Sequence, residues 1–104
     1  MKAIAARPDQ FGSEARIIKA MAHATRLFIL SELSRGERCV LELTRMIGVE
    51  MPTVSRHLSV LTNAGILASE KRGAQVFYRV RARCVLKVFD CVREVQALSS
   101  ERNP

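Results

Sequence analysis

The chain has 104 residues, of which 48% are apolar and 26% charged, with a formal net charge of +7. That length suits one domain, and the composition is that of an ordinary soluble globular protein. No apolar run approaches the roughly 18 residues a bilayer span needs, and MKAIAARPDQ has no long apolar stretch behind its basic residues, so neither a membrane protein nor a secreted one is expected and the reading is cytoplasmic. The excess of Lys and Arg favours a phosphate backbone or an anionic surface as partner. Aromatics are few, four Phe and one Tyr with no Trp, which argues against a base-stacking binder of single strands. Three cysteines, Cys39, Cys84 and Cys91, are an odd set in an unsecreted chain and do not read as a disulfide framework.

Residues 1–12 carry Pro8 and Gly12 and read as a flexible N-terminal arm. Residues 13–99 read as one domain and 100–104 as a C-terminal tail. Ser13 is the expected N-cap of a first helix, with Glu14 in its first turn. Ile17, Ile18, Met21 and Ala22 give that helix its apolar residues. HATRLFILSELSRG follows. Its Leu27, Leu30 and Leu33 mark one face, Phe28 and Ile29 widen it, and Gly36 stops it. A short third helix spans 40–47, with Val40, Leu43 and Ile47 in one stripe and Gly48 closing it. Val49-Glu50-Met51 is a turn, and Pro52 suits the first turn of a fourth helix. There Val54, Leu58 and Leu61 form the buried stripe, and Asn63-Ala64-Gly65 ends it.

After Gly65 the pattern becomes β: 66–71 is one strand, 72–75 a turn and 76–80 a second strand. A final helix is expected over 83–98. Its seam reads Cys84, Val88, Cys91, Val95, Leu98, in alternating steps of four and three. A second row, Val85, Phe89 and Val92, runs beside it. This is more apolar surface than one small domain covers, so the helix is expected to pack both on its own chain and on a second copy.

Two short helices joined by a tight turn, then a basic hairpin, are a helix-turn-helix followed by a wing. The expected fold is therefore mostly α with a small β-hairpin, and the expected partner is double-stranded DNA. The start of the fourth helix offers Pro52, Thr53, Ser55, Arg56 and His57 to a major groove. Lys71, Arg72 and Gln75 at the hairpin tip would reach an adjacent groove or backbone. Other readings stand beside these. His57, next to Leu58, also suits helix packing, Lys71 and Arg72 also suit a soluble hairpin, and Arg26 suits an internal ion pair better than a DNA contact.

HATRLFILSEL, ERCVLEL, PTVSRHLSVLTNAGIL and KRGAQVFYRV together resemble the matching blocks of the ArsR–SmtB transcriptional repressors, over roughly residues 14–98. The resemblance implies a homodimeric winged helix with four helices, a two-stranded hairpin and a fifth helix. Its terminal helices would form the dimer interface, here Ile17, Met21, Val85, Val88, Phe89, Val92 and Val95. It implies a repressor that leaves its operator when a small inducer binds, often a thiophilic metal or metalloid.

Against the ELCVCDL of arsenic and cadmium sensors, this chain reads ERCVLEL. Cys39 matches the first thiol, Leu41 replaces the second, and Thr44 stands where some arsenic sensors have a third. Three readings stay open for Cys39, Cys84 and Cys91: a site for As(III) or another soft ion, shared across subunits; a thiol-redox or reactive-sulfur sensor; or small apolar residues in the dimer seam. Cys39, beside Arg38 at a helix start, is the leading sensor candidate. An enzyme is not expected, because no Cys–His pair with an orienting third group and no Gly-rich phosphate cradle is present. A protein-interaction module without DNA binding is the alternative from another class.

Overall fold

A computed structural model describes residues 7–102; residues 1–6 of the expected arm and 103–104 of the expected tail lie outside the described residues. A 3₁₀ turn, Pro8–Phe11, leads into α1 (Gly12–Met21). Ser13 does not cap α1, because the helix starts at Gly12 with Phe11 as its N-cap, two residues earlier than expected, and the Ser13 hydroxyl donates to Glu14 Oε1 instead. The next helix, α2 (Ala24–Leu33), is capped by the side chain of His23, whose Nδ1 accepts the Thr25 N–H at 3.1 Å. A two-residue strand, β1 (Arg38–Cys39), runs directly into α3 (Val40–Ile47). Gly48 ends α3 at φ +80°, a left-handed conformation that a side chain disfavours.

The longest core helix, α4 (Met51–Asn63), leads into a hairpin of β2 (Leu67–Arg72) and β3 (Gln75–Val80). Only Gly73 and Ala74 lie between the strands, and Gly73 takes φ +63°, as a tight Gly-first hairpin connection requires. β3 is central, pairing antiparallel with β2 on one side and β1 on the other. Arg38 sits opposite Tyr78 and Cys39 opposite Phe77. A lone hairpin is marginal in water, and this third strand ties it to the start of α3. A second 3₁₀ turn, Arg83–Lys87, precedes α5 (Val88–Arg102).

One core joins these elements. Ile29, Leu30 and Leu33 of α2, Leu43 of α3 and Val54, Leu58 and Leu61 of α4 are almost wholly buried, with Ile66, Leu67 and Val80 from the hairpin. Met21, expected at a dimer interface, is 8% exposed and belongs to this core. Val85, Leu86 and Phe89 pack against the core half-buried, so Val85 and Phe89 spend much of their apolar surface within the protomer. Beyond them α5 is open along its length. Val92, Val95 and Leu98 stay exposed, as do Ile17 and Ile18 of α1. Among the described residues no helix is long and apolar enough to cross a membrane.

Candidate nucleic-acid interface

The outward face of α4 follows from its inward one. Val54, Leu58 and Leu61 fix the buried stripe, and at 100° per residue Pro52, Arg56, Ser59 and Asn63 fall opposite it. All four are exposed. Ser59 was absent from the expected contacts, although its place three residues after Arg56 puts it on the same face. Thr53 and Ser55 are half-buried on the flanks of this face.

His57 does not look outward. It is 9% exposed, its ring centroid lies 4.4 Å from that of His23, and its Nδ1 accepts a hydrogen bond from Arg26 Nε at 3.1 Å. Burial first, then the neighbouring His23, Arg26 and Arg56, push its pKa below the ordinary histidine value. It is a neutral acceptor inside the protein, which corrects the expectation of a DNA contact. Arg26 also donates from Nη1 to the Ala20 carbonyl at 3.2 Å. It is an internal strap, held by hydrogen bonds rather than by an ion pair.

The first turn of α4 presents side chains more than backbone. Pro52 has no N–H, while the Thr53 and Val54 amides both bond to the Glu50 carbonyl, at 3.0 and 3.2 Å. Across from this turn lies the wing. A groove of about 290 Å³ runs between them, lined by Met51 and Ser55 from α4, Ala74 and Gln75 from the wing, and Val40 and Leu41 from α3. Ser55 and Gln75 thus share one groove, 20 positions apart in sequence.

On the wing, Lys71 is exposed and Arg72 is not free. Arg72 donates to both carboxylate oxygens of Glu37, at 2.6 and 3.1 Å, and to Glu70 at 2.7 Å. Its guanidinium lies 4.7 Å from the Phe77 ring centroid, a stacked cation–π arrangement. The Arg72 hydrogen bond holds the Glu37 carboxyl below its usual range, and the two carboxylates raise the Arg72 pKa in turn. The expectation that Arg72 extends into a groove is corrected: it braces the wing against the segment before β1. Being surface pairs, these contribute geometry more than stability.

The cysteines do not converge. Cys39 is buried and opens α3, where its backbone N–H donates to Glu42 Oε1 at 2.9 Å. That bond, then one from the Cys39 thiol, lowers the Glu42 pKa. Cys84 and Cys91 are exposed on the terminal segment. Among the described residues no group of three or more His, Cys, Asp or Glu side chains is placed to hold a metal ion. Within one protomer the thiols therefore do not fit a three-thiolate centre. Thr44 donates its hydroxyl to the Val40 carbonyl, inside its own helix.

A three-helix platform, an exposed cationic helix face and a braced hairpin make a winged helix-turn-helix. The family model described as "Bacterial regulatory protein, arsR family" matches residues 23–69, from the cap of α2 into β2. The crystal structure of the transcriptional repressor BigR from Xylella fastidiosa is 30% identical, with a TM-score of 0.72, covering 84% of this chain and 90% of that one. The chain belongs to the arsR family. The transcriptional repressor SmtB of Mycobacterium tuberculosis is 38% identical over 64 residues, 62% of this chain and 47% of SmtB. The biofilm growth-associated repressor of Xylella fastidiosa, also 38% identical, is matched over 64% of this chain and 58% of its own length. The chain thus spans about half the length of these two curated relatives. The NMR structure of the homodimeric winged helix-turn-helix DNA-binding domain Mb0332 (fragment 1–100) from Mycobacterium bovis is 29% identical, with a TM-score of 0.76, over 99% of this chain and 96% of that one. At 99% of this chain, the likeness to Mb0332 extends over the terminal helix as well as the helix-turn-helix.

Proposed function

We propose that this protein is a transcriptional repressor that binds double-stranded operator DNA as a homodimer. The observation that carries the reading is the outward face of α4, with Arg56 exposed at its N-terminal half and Thr53 and Ser55 flanking it. Arg56 reads a guanine edge or holds a phosphate, Thr53 and Ser55 donate from their hydroxyls, and Lys71 with Gln75 reaches the neighbouring backbone. The homodimer is supported by the exposed Ile17, Val92 and Val95, with half-buried Val88 beside them. Two recognition helices set by such a dimer would meet half-sites about 34 Å apart. The test is duplex affinity as a function of salt. Counterion release makes the logarithm of a true binding constant fall linearly with the logarithm of salt concentration; a flat response, or no binding at low salt, rejects the reading.

Release is assigned to a thiol-directed signal. Cys84 and Cys91 are exposed on the segment whose apolar residues also stand open, so a reagent bound there acts at the surface through which two copies would join. Arsenite, cadmium, zinc and a persulfide donor, each titrated into the protein on labelled duplex, separate a soft ion from reactive sulfur. Loss of the response in Cys84→Ser/Cys91→Ser supports the assignment. If none of the four releases DNA, the thiol assignment falls and the DNA reading stands.

A further inference from the structure

A second basic region lies away from the wing. Between α1 and the C-terminal end of α4 is a depression of about 300 Å³, lined by Arg16, Lys19, Arg26 and Asn63 over an apolar wall of Val60 and Ala64. Three cations meet there and no carboxylate lines it. None of the ion pairs among the described residues involves Arg16, Lys19 or Arg26. We infer that this depression binds a small organic anion, a carboxylate with a short apolar body, and that the anion acts on α4 through Arg26 and His57; the second half rests on the proposed DNA reading.

The size falls at the low end of ligand pockets, about 300–1,000 Å³. Charge selects an anion, and the Val60–Ala64 wall selects one with an apolar portion over a bare inorganic ion. Arg26 supplies the geometry. Its Nε and Nη1 are engaged by His57 and the Ala20 carbonyl, while its Nη2 has no protein partner among the described residues. A planar fork with unused N–H groups matches a carboxylate.

The site lies at the far end of α4 from the recognition turn and shares only Asn63 with the outward face of that helix. Ala64 lies twelve residues beyond Pro52, about 18 Å along α4 at 1.5 Å per residue. On α1, Arg16 lies about 200° around the helix axis from the exposed Ile18, and Lys19 lies about 200° from Ile17. The coupling runs through one side chain. Arg26 joins α2 to the end of α1 and to the middle of α4, so a carboxylate that draws its guanidinium outward loosens the bond to His57. If the anion weakens DNA binding, DNA weakens anion binding by the same factor.

The test uses benzoate as probe and benzylamine as its cationic counterpart, followed by amide NMR shifts of the whole chain without DNA. Saturable shifts at Arg16, Lys19, Ala20 and Asn63 are expected with benzoate only, with at least tenfold weaker binding in Arg16→Ala/Lys19→Ala. Both substituted residues are exposed, and an unchanged thermal midpoint checks that the variant folds. No saturation, equal binding by the variant, equal binding of benzylamine, or equal binding of inorganic phosphate overturns the site. Duplex affinity is then measured in benzoate against chloride of the same ionic strength. A severalfold loss in the wild type that disappears in Arg16→Ala/Lys19→Ala supports the coupling. An unchanged affinity overturns it. A variant that loses duplex affinity without benzoate as much as Arg56→Ala does would mark these cations as phosphate contacts and overturn the assignment. Absence of duplex binding in plain buffer counts against the DNA reading, and the NMR result is independent of it.

Discussion

Helices α4 and α5 carry similar apolar rows and lie in opposite environments. Val54, Leu58 and Leu61 of α4 are 0% exposed, whereas Val92, Val95 and Leu98 of α5 are 46%, 62% and 52% exposed. The first row is closed by the chain's own α2, α3 and hairpin. The second leaves the core after Phe89 and stays exposed among the described residues. Apolar spacing along a helix thus says that a stripe will be covered, and topology decides whether the same chain covers it. An apolar row left open on a small domain marks an interaction surface.

The contrast is sharpest under truncation. Leu61→Ala should destabilise the fold by about 2–5 kcal/mol, as buried Leu→Ala changes do, read as a lower denaturation midpoint. Val95→Glu/Leu98→Glu should leave the helical signal of the protomer in place and abolish self-association in sedimentation velocity. If Leu61→Ala were harmless, or if the double variant remained a dimer, the two rows would not differ as their exposure says.

The polar faces of the molecule make a second contrast. Arg56→Ala should weaken duplex binding by about 1–3 kcal/mol if the guanidinium reads a base edge. Arg72→Ala should cost less, because Arg72 already serves Glu37, Glu70 and the Phe77 ring. A larger loss at Arg72 would reverse these roles. The smallest effect concerns acid. His57 has a folded-state pKa below the 6.5 of an ordinary histidine, so the unfolded chain takes up its proton first as pH falls. Its contribution is complete above about pH 6.5 and is lost as pH drops through the window beneath it. A denaturation series from pH 8 downward should show that slope, and His57→Gln should flatten it.

Much of this was legible in the residues. The bounds of α3 followed from Val40, Leu43, Ile47 and the Gly48 stop, because local spacing and one left-handed glycine determine them. The strands of the wing followed from β-prone residues around a glycine turn, but the expected turn over 72–75 shrinks to Gly73 and Ala74, because Arg72 and Gln75 pair in the ladder. What escaped was set by distant partners. A two-residue strand such as β1 has no periodicity to detect. Arg72 meets Glu37 from 35 positions away, and no local pattern announces that pair. His57 is the instructive case, since Val54, His57 and Leu61 stand at i, i+3 and i+7, the spacing of a buried stripe. The signal for burial was present, but its polarity and its place beside Arg56 pointed outward. Met21 was assigned to an interface that the bundle itself closes over.

The central claim is that two copies of this chain, joined through their open α5 surfaces, present paired α4 faces to one duplex. Footprinting on a duplex selected by the protein from random sequence tests it most directly. The account predicts two protected half-sites related by a dyad, with centres one helical turn or a multiple of it apart, and loss of that paired pattern in Val95→Glu/Leu98→Glu. A single unsymmetrical footprint, or one unchanged by those two substitutions, would contradict it.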